Sequence, residues 1–460
     1  MLSTFLNNPS AHRVLVVGGG KSGFAALRFL KRIGSDVSLS DAGSRQGKPA
    51  ALIEWLAAEE IEYEFGGHQR DTFLDKDLIV VSPGVSLTIP EIVEARKKGI
   101  PVIGEFGLAS CFLDIPILAV TGTNGKTTVT EMAAEMFRAA GMNIFVGGNI
   151  GTPLTECLLR EKMAELAVLE VSSFQLEAAG CFRPRVGILL NITPDHLDRY
   201  ASFQEYGNTK FKMFENQQQH DAVVLNCDDR EVMTRLSLAS GKGKKYFFGT
   251  TLDTKPGAEK RNESIVLKVP DLGDQEIYDL PESLRTSPNQ ENCMATILAA
   301  RLMGCPQAFI RKGLENFHCL PHRVSLVAEV NGVAYYDDSK ATNIGAVHSA
   351  LSGMRRPIIL IAGGRDKGSD YTLLSGIVRK KVKKMLLIGE AKEKMASELG
   401  AIVEVELCQS MEDAVKKASE IAHPGDAVLL SPACASFDMF KNYEERGRYF
   451  QSAVKCLMEN

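Results

Sequence analysis

Short apolar runs that end in small-residue loops recur along this chain. Val14 to Val17 lead into GGGKSG (18–23), and Pro116 to Val120 into TGTNGKTT (121–128). Pro357 to Ala362 lead into GGRDKG (363–368), and Ala427 to Leu430 into SPACAS (431–436). Such short runs, with no alternation of apolar and polar residues, predict parallel strands buried on both faces. Helix-like stretches follow the first two loops (FAALRFLKRIG and VTEMAAEMFRAAG), which makes each a βα unit. Units of this kind spaced along the whole chain predict an α/β architecture throughout.

The same pattern divides the chain. Strand candidates at VLVV, DVSLS and DLIVVSPG form a first set. A second set starts at Ile115 and continues through NIFVGG, ELAVLEVSS, VGILLNIT, DAVVLN and KKYFFG. From about Thr250 to Ser287 the chain is polar and rich in Gly and Pro, which predicts loops with short edge strands. A third set opens with VAEVNGVAYYDDS, a hairpin turning at Asn331-Gly332. Boundaries are expected near residues 106 and 320. At roughly 150 residues per domain, a chain of 460 residues also divides into about three.

Composition narrows the class. Hydrophobic residues make up 45% and charged residues 24%, which excludes a disordered chain, a collagen or a coiled coil. Lys and Arg total 53 against 57 Asp and Glu, so the net charge of −4 lacks the basic excess of a nucleic-acid surface. No apolar run is long enough to span a membrane, and MLSTFLNNPSAHR lacks the pattern of a secretory signal. The ten cysteines are widely spaced with no CxxC pair, so the expectation is reduced thiols in a cytoplasmic protein.

Candidate chemistry sits in the loops. In TGTNGKTT, between a strand and a helix, Gly allows close backbone approach to a polyphosphate and the helix start offers unpaired N–H groups. Lys126 suits the β and γ phosphates and Thr127 a Mg²⁺ ion. The strict phosphate-loop pattern asks for Gly at position 120, where this chain has Val120. GGGKSG is a formal GxGxxG, with Asp41 ending the next strand where an acid would bond a ribose or uridine. An NAD dehydrogenase, a nucleotide-sugar site and a purely structural turn all fit that loop.

Glu170 ends a strand and faces the same crevice as Lys126. TPDHLDRY places His196 between Asp195 and Asp198, a candidate Mg²⁺ or phosphate contact. By composition, Lys210 and Lys212 read as solvated helix charges. DSKATN (338–343), GGRDKG and SPACAS all lie at strand ends and point to one shared site. Cys434 lacks a local partner and reads as a small packing residue. His318 and His322 are interrupted by Pro321, so HCLPHR reads as a linker with Arg323 as its functional member.

Together these motifs resemble the Mur ligase family, ATP-dependent amide-forming enzymes of peptidoglycan synthesis, over essentially the whole chain. TGTNGKTT is shared with folylpolyglutamate synthase, whereas NIG (149–151), LEVSSFQLE (169–177) and TPDHLDRY (193–200) narrow the match. DSKATN and SPACASFDMFKNYEERG (431–447) look like the branch that adds D-glutamate to UDP-N-acetylmuramoyl-L-alanine. The resemblance implies an α/β chain of three domains: N-terminal Rossmann-like (1–106), central P-loop ATPase-like (107–320) and C-terminal Rossmann-like (321–460).

It also implies roles. ATP would be held by Gly122, Thr123, Asn124, Gly125, Lys126, Thr127, Thr128, Asn149, Asn292 and Arg323. The UDP substrate would be held by Gly20, Lys21, Ser22, Asp41, Gly84, Ser172 and Gln175. D-glutamate would be held by Thr342, Lys367, Ser436, Phe437 and Tyr443. Two Mg²⁺ ions would use Thr127, Glu170, His196 and Lys210, the last as a carbamate formed with CO₂, which reverses its reading as a solvated charge. Lys126, Glu170, His196, Lys210 and Lys340 would carry the catalysis, in a monomer that neither binds nucleic acid nor inserts in a membrane. Two departures stand out. The family's second adenine-site Asn is Ala295 here, and Asp366 in GGRDKG aligns ambiguously by one position. Folylpolyglutamate synthase, a non-catalytic nucleotide-binding regulator and an NAD dehydrogenase are the competing readings. The first should lack DSKATN, the second should lack Lys126, Glu170, His196 and Lys210, and the third leaves TGTNGKTT unused.

Overall fold

The computed structural model describes residues 2–196, 199–285, 288–318 and 320–459. Asp198 lies outside the described residues. Three sheets follow one another along the chain. The first is wholly parallel and contains β1 (Arg13–Val17), β2 (Asp36–Asp41), β3 (Glu62–Phe65), β4 (Leu78–Val81) and β5 (Val102–Gly104), in the order β3-β2-β1-β4-β5. The apolar run Val14 to Val17 is fully buried, as expected of a strand covered by helices on both faces. The order reverses beside β1, so the glycine loop leaves the sheet at its switch point.

The second sheet comprises β6 (Ile117–Thr121), β7 (Ile144–Gly148), β8 (Leu166–Glu170), β9 (Val186–Leu189), β10 (Ala222–Asn226), β11 (Lys244–Gly249), β12 (Gly257–Arg261), β13 (Ser264–Lys268) and β14 (Glu276–Asp279). Its order is β14-β13-β12-β11-β10-β9-β6-β8-β7. The polar segment after Thr250 supplies β12 to β14, and the β12–β13 and β13–β14 pairs are antiparallel at the sheet's edge. Two apolar layers cover the faces, one centred on the helices Lys126–Ala139 and Asn289–Leu302, the other on Phe106, Phe182 and Phe214.

The third sheet runs β15-β16-β20-β17-β18-β19, with β15 (Ser325–Val330), β16 (Val333–Asp337), β17 (Ile358–Gly363), β18 (Val382–Ile388), β19 (Glu404–Leu407) and β20 (Ala427–Leu430). The β15–β16 hairpin turns at Asn331 and Gly332, with φ of 52° and 78°, the two positive values a tight primed turn requires. The remaining pairs are parallel.

The cysteines depart from expectation: Cys111 and Cys181 form a disulfide, their Cα atoms 5.2 Å apart. They stand 70 positions apart in sequence, on the helix Glu105–Phe112 and just beyond the helix Ser173–Glu177. The fold brings these segments together, which no spacing motif encodes. No helix among the described residues is long and apolar enough to cross a membrane.

Candidate active site

Neighbouring strands deliver the motifs to one place. β9, β6, β8 and β7 lie side by side, and their carboxyl ends lead into Asn191 to His196, the 122–125 loop, Glu170 and Asn149 respectively. In the third sheet β16, β20 and β17 are likewise adjacent, and their ends lead into DSKATN, SPACAS and GGRDKG. The three C-terminal loops expected to converge therefore do so.

The loop 122–125 joins β6 to the helix Lys126–Ala139. Val120 belongs to β6 and is fully buried, so the loop starts two residues later than the strict pattern implies. Gly125 sits at φ 87°, in the left-handed region, and a Cβ there would approach Asn292 Oδ1 to 2.6 Å. The loop is clamped from behind by Asn191, whose Oδ1 accepts from the Thr123 and Asn124 N–H groups at 3.1 and 2.8 Å. Lys126 Nζ donates to the carbonyls of Gly122 and Thr123 (2.9 and 2.8 Å), and Lys210 Nζ donates to Gly122 O (3.0 Å).

Glu170 is 2% exposed; one carboxylate oxygen accepts from Asn149 Nδ2 at 2.8 Å, while Oε2 is buried with no hydrogen-bond partner. A buried carboxylate oxygen facing cations with no N–H to accept from fits a divalent ion. Asn149 thus aims Glu170. His196 lies nearby with φ 54°, an uncommon conformation for a non-glycine residue, and its ring stacks edge-on to Phe174 at 4.8 Å. Among the described residues no three His, Cys, Asp or Glu side chains cluster as a metal site.

Burial sets the charges. It pushes Lys210 well below the ordinary ammonium range, with Lys126 adding to the effect and Asp195 opposing it. Burial likewise lowers Lys126 and Arg323, and brings Lys340 down to about 8 with help from Arg323. Asp338, fully desolvated, is raised to about 7. Arg323 Nε is buried and has no hydrogen-bond partner. Lys340 reaches from DSKATN to Thr127 Oγ1 at 3.5 Å and lies 5.0 Å from the Tyr443 ring. A cavity of about 690 Å³ lies between the second and third sheets, lined by Asn124, Gly125, Thr128, Asn292, Arg323 and Lys340 among others. Ala295 is fully buried in the core of its helix and does not line it.

The other predicted residues divide. Thr342 is half-buried beside Lys340, Lys367 Nζ stands 3.9 Å from Asp195, and Ser436 is 3% exposed, whereas Phe437 is 65% exposed. Asp366 is held by Tyr371, Gly368 and Lys394, which leaves Lys367 facing the cleft. Cys434 meets Tyr371 from outside its own motif, and burial pushes its thiol up to about 11, as befits a packing residue. His322 bonds Asp337 at 2.7 Å, a structural pairing at the linker.

At the first sheet the loop 18–23 is closely packed: a Cβ on Gly23 would stand 1.8 Å from Gly18 O. The helix beginning at Lys21, followed by Ser22, opens from Gly20. Asp41 serves the loop itself. Its Oδ2 accepts from Gly19 N–H at 2.5 Å, and its Oδ1 accepts from Gly43 N–H and pairs with Lys48. Ser172 and Gln175 form a reciprocal capping box on the helix Ser173–Glu177. Gly84 has open space around it.

Of four residues that knit the loops together, Asn191 and Arg199 were not singled out in the sequence, and Asp195 and Asn343 were named only as members of their motifs. Arg199 donates to Pro83 O (3.2 Å) and to Glu177 (3.1 Å) and lies 3.9 Å from the Phe174 ring, linking the VSPG loop to the His196 loop. Asp195, Arg199 and Asn343 stand inside motifs already singled out; their signal was a polar side chain beside a named one.

Comparisons with known proteins follow the order of the three sheets. Family models match in order: "Mur ligase MurD-like, N-terminal domain" at residues 12–104, "Mur ligase middle domain" at 120–300 and "Mur ligase, glutamate ligase domain" at 322–434. The UDP-N-acetylmuramoylalanine–D-glutamate ligase of Geotalea uraniireducens is 46% identical over 448 residues, 97% of each chain. That of Salinibacter ruber is 43% identical over 455 residues, 97% of this chain and 98% of the relative. The pseudomurein peptide ligase type C of Methanothermus fervidus superposes with a TM-score of 0.63 at 20% identity, covering 97% of this chain and all of the other, a likeness of fold alone.

Proposed function

This chain belongs to the Mur ligase family, and on that premise we propose that it joins D-glutamate to UDP-N-acetylmuramoyl-L-alanine at the expense of ATP, in peptidoglycan precursor synthesis. The observation that carries the reading is the seating of DSKATN on the phosphate loop, with Lys340 3.5 Å from Thr127 and Asn343 3.1 Å from Asn124. The proposed division is UDP substrate on 1–106, ATP on 107–320 and D-glutamate on 321–460, in a cytoplasmic monomer.

A carboxylate is a poor acyl donor because oxide is a poor leaving group. Transfer of the γ-phosphoryl group to a carboxylate oxygen of the L-alanyl end gives an acyl phosphate and ADP. The D-glutamate amine then attacks the acyl carbon, the C–O bond to phosphate breaks, and the amide forms with loss of a proton from nitrogen. The first step brings anions together, and Lys126, Lys340 and Arg323 offset that repulsion where water is scarce. Their lowered proton affinities are restored as phosphate charge arrives.

Thr127, Glu170, His196 and a carbamylated Lys210 would hold Mg²⁺, which supplies Lewis-acid neutralisation of the phosphoryl oxygens. Lys210 fits the carbamate: burial lowers the proton affinity of its amine, and the neutral amine is the form that adds to CO₂ with loss of a proton. Thr342, Lys367 and Ser436 would bind D-glutamate, with Tyr443 and Phe437 at the rim. Gly20, Lys21, Ser22 and Gly84 would take the UDP group, with Asp41 shaping their loop and Ser172 and Gln175 holding the adjoining helix.

Phosphate release from ATP, measured with UDP-N-acetylmuramoyl-L-alanine and either D- or L-glutamate, tests the reading. Release that depends on D-glutamate is expected. Release indifferent to it overturns the proposal.

A further inference from the structure

Two loops on the second sheet and one helix on the third meet at a single side chain. Asn343 is 7% exposed and caps the helix Ile344–Gly353, its Oδ1 accepting from Ala346 N–H at 2.9 Å. Its Nδ2 points the other way, donating to Asn124 Oδ1 on the phosphate loop (3.1 Å) and to Asp195 Oδ2 beside His196 (3.2 Å). Asp195 Oδ1 in turn accepts from His196 N–H at 3.0 Å. The helix seats flush, since a Cβ on Gly345 would stand 2.5 Å from Thr193 Oγ1 and 2.9 Å from Asn124 Nδ2.

The demand on position 343 is chemical. One side chain must accept from its own helix and donate across the junction, which an amide does and a carboxylate or hydroxyl of shorter reach does not. Aspartate and serine cap helices about as well as asparagine, but aspartate has no proton to donate and would face Asp195. We propose that Asn343 is a positioning residue that couples docking of the third domain to the phosphate loop and the His196 loop. It orders the loops around the acyl phosphate and contacts neither ATP nor the amino acid. This inference rests on the ligase reading of the site.

Asn343→Asp in the full chain separates the two jobs, because the cap survives and the cross-junction donor is lost. The thermal midpoint should stay at the wild-type value. Small-angle scattering with a non-hydrolysable ATP analogue and UDP-N-acetylmuramoyl-L-alanine should then show a more open particle. KM for D-glutamate should rise, and kcat fall, about tenfold or more, the worth of one hydrogen bond to a charged group, while KM for ATP stays within about twofold. The double variant Asn343→Asp/Asp195→Asn exchanges donor and acceptor and should recover part of the closure. Should aspartate unfold the loop, Asn343→Ser makes the same cut with a cap too short to span the junction. A cap-preserving variant that closes and turns over like wild type overturns the proposal, as does a folded double variant no better than the single. Wild-type protein without D-glutamate-dependent phosphate release would sink the ligase reading instead, and the scattering arm would still decide the latch.

Discussion

Replacing Glu105 by glutamine should make this protein more stable at alkaline pH. Glu105 opens the helix Glu105–Phe112, is 1% exposed, and accepts from Thr155 N–H at 2.8 Å and from Thr155 Oγ1 at 2.7 Å. Burial pushes its carboxyl from 4.5 up to about 7; the two Thr155 bonds pull against this and Glu156 adds to it. The sign follows from proton counting. Between 4.5 and about 7 the folded chain keeps a proton that the unfolded chain releases, so stability is full below 4.5 and falls as pH rises through 7. The gap corresponds to about 3 kcal/mol. Glutamine keeps an acceptor for both Thr155 donors and never ionises. Glu105→Gln should therefore match wild type near pH 4.5 and exceed it by up to about 3 kcal/mol at pH 8. The assay is urea unfolding at several pH values, followed by the fluorescence of the single tryptophan, Trp55, which lies in the first domain and packs on Phe24. Asp338, also raised to about 7, sits in the third domain and is common to both proteins. Identical pH dependence in the two proteins, or a glutamine variant less stable at pH 8, would refute the reasoning.

Lys210→Ala should reduce D-glutamate-dependent phosphate release about a hundredfold, the scale of losing a group that orders a metal site. Recovery with added formate or acetate would support the carbamate, and unimpaired turnover would refute it. Gly23→Ala forces a methyl to within 1.8 Å of Gly18 O, so the loop must open at a cost of about 1–3 kcal/mol. KM for the UDP substrate should rise while KM for ATP holds; an unchanged KM for the UDP substrate would remove this loop from the site. Reductant should lower the thermal midpoint of wild type but not of Cys111→Ser, since the disulfide closes a separation of 70 residues and should contribute about 4 kcal/mol. Equal response in both would argue against the pairing.

What the sequence made legible was whatever repeats as a local pattern. β1, β6, β17 and β20 announce themselves as unbroken apolar runs because both faces are buried, and the Asn331-Gly332 turn because only certain residues accept two positive φ values. β3 and β19 escaped because edge strands carry charge: EYEF and EVEL are half-exposed and form no unbroken apolar run. The disulfide escaped because its partners share no spacing. Asp41 shows a second role that its position does not announce. An acid at the end of β2 is expected to face a ligand, and in the fold its oxygens also hold the glycine loop and Lys48. Sequence position places a carboxylate near a site but does not say whether it faces the ligand or the loop that would bind it.

The same distinction explains how a chain of net charge −4 offers a place for polyanions. Total charge averages over a surface on which most ion pairs are solvated and screened. The cleft works differently, because Lys126, Lys340 and Arg323 are drawn back from water, which weakens their hold on protons and raises the value of any anion that arrives. Glu170 and Asp195 keep that cluster from repelling itself apart, and Asn149, Asn191 and Asn343, which carry no charge, fix where each acid and loop points. Neutral amides aim the charges, so changing an amide to its isosteric acid should disturb the site more than removing a surface lysine, although only the latter looks like the larger change in sequence.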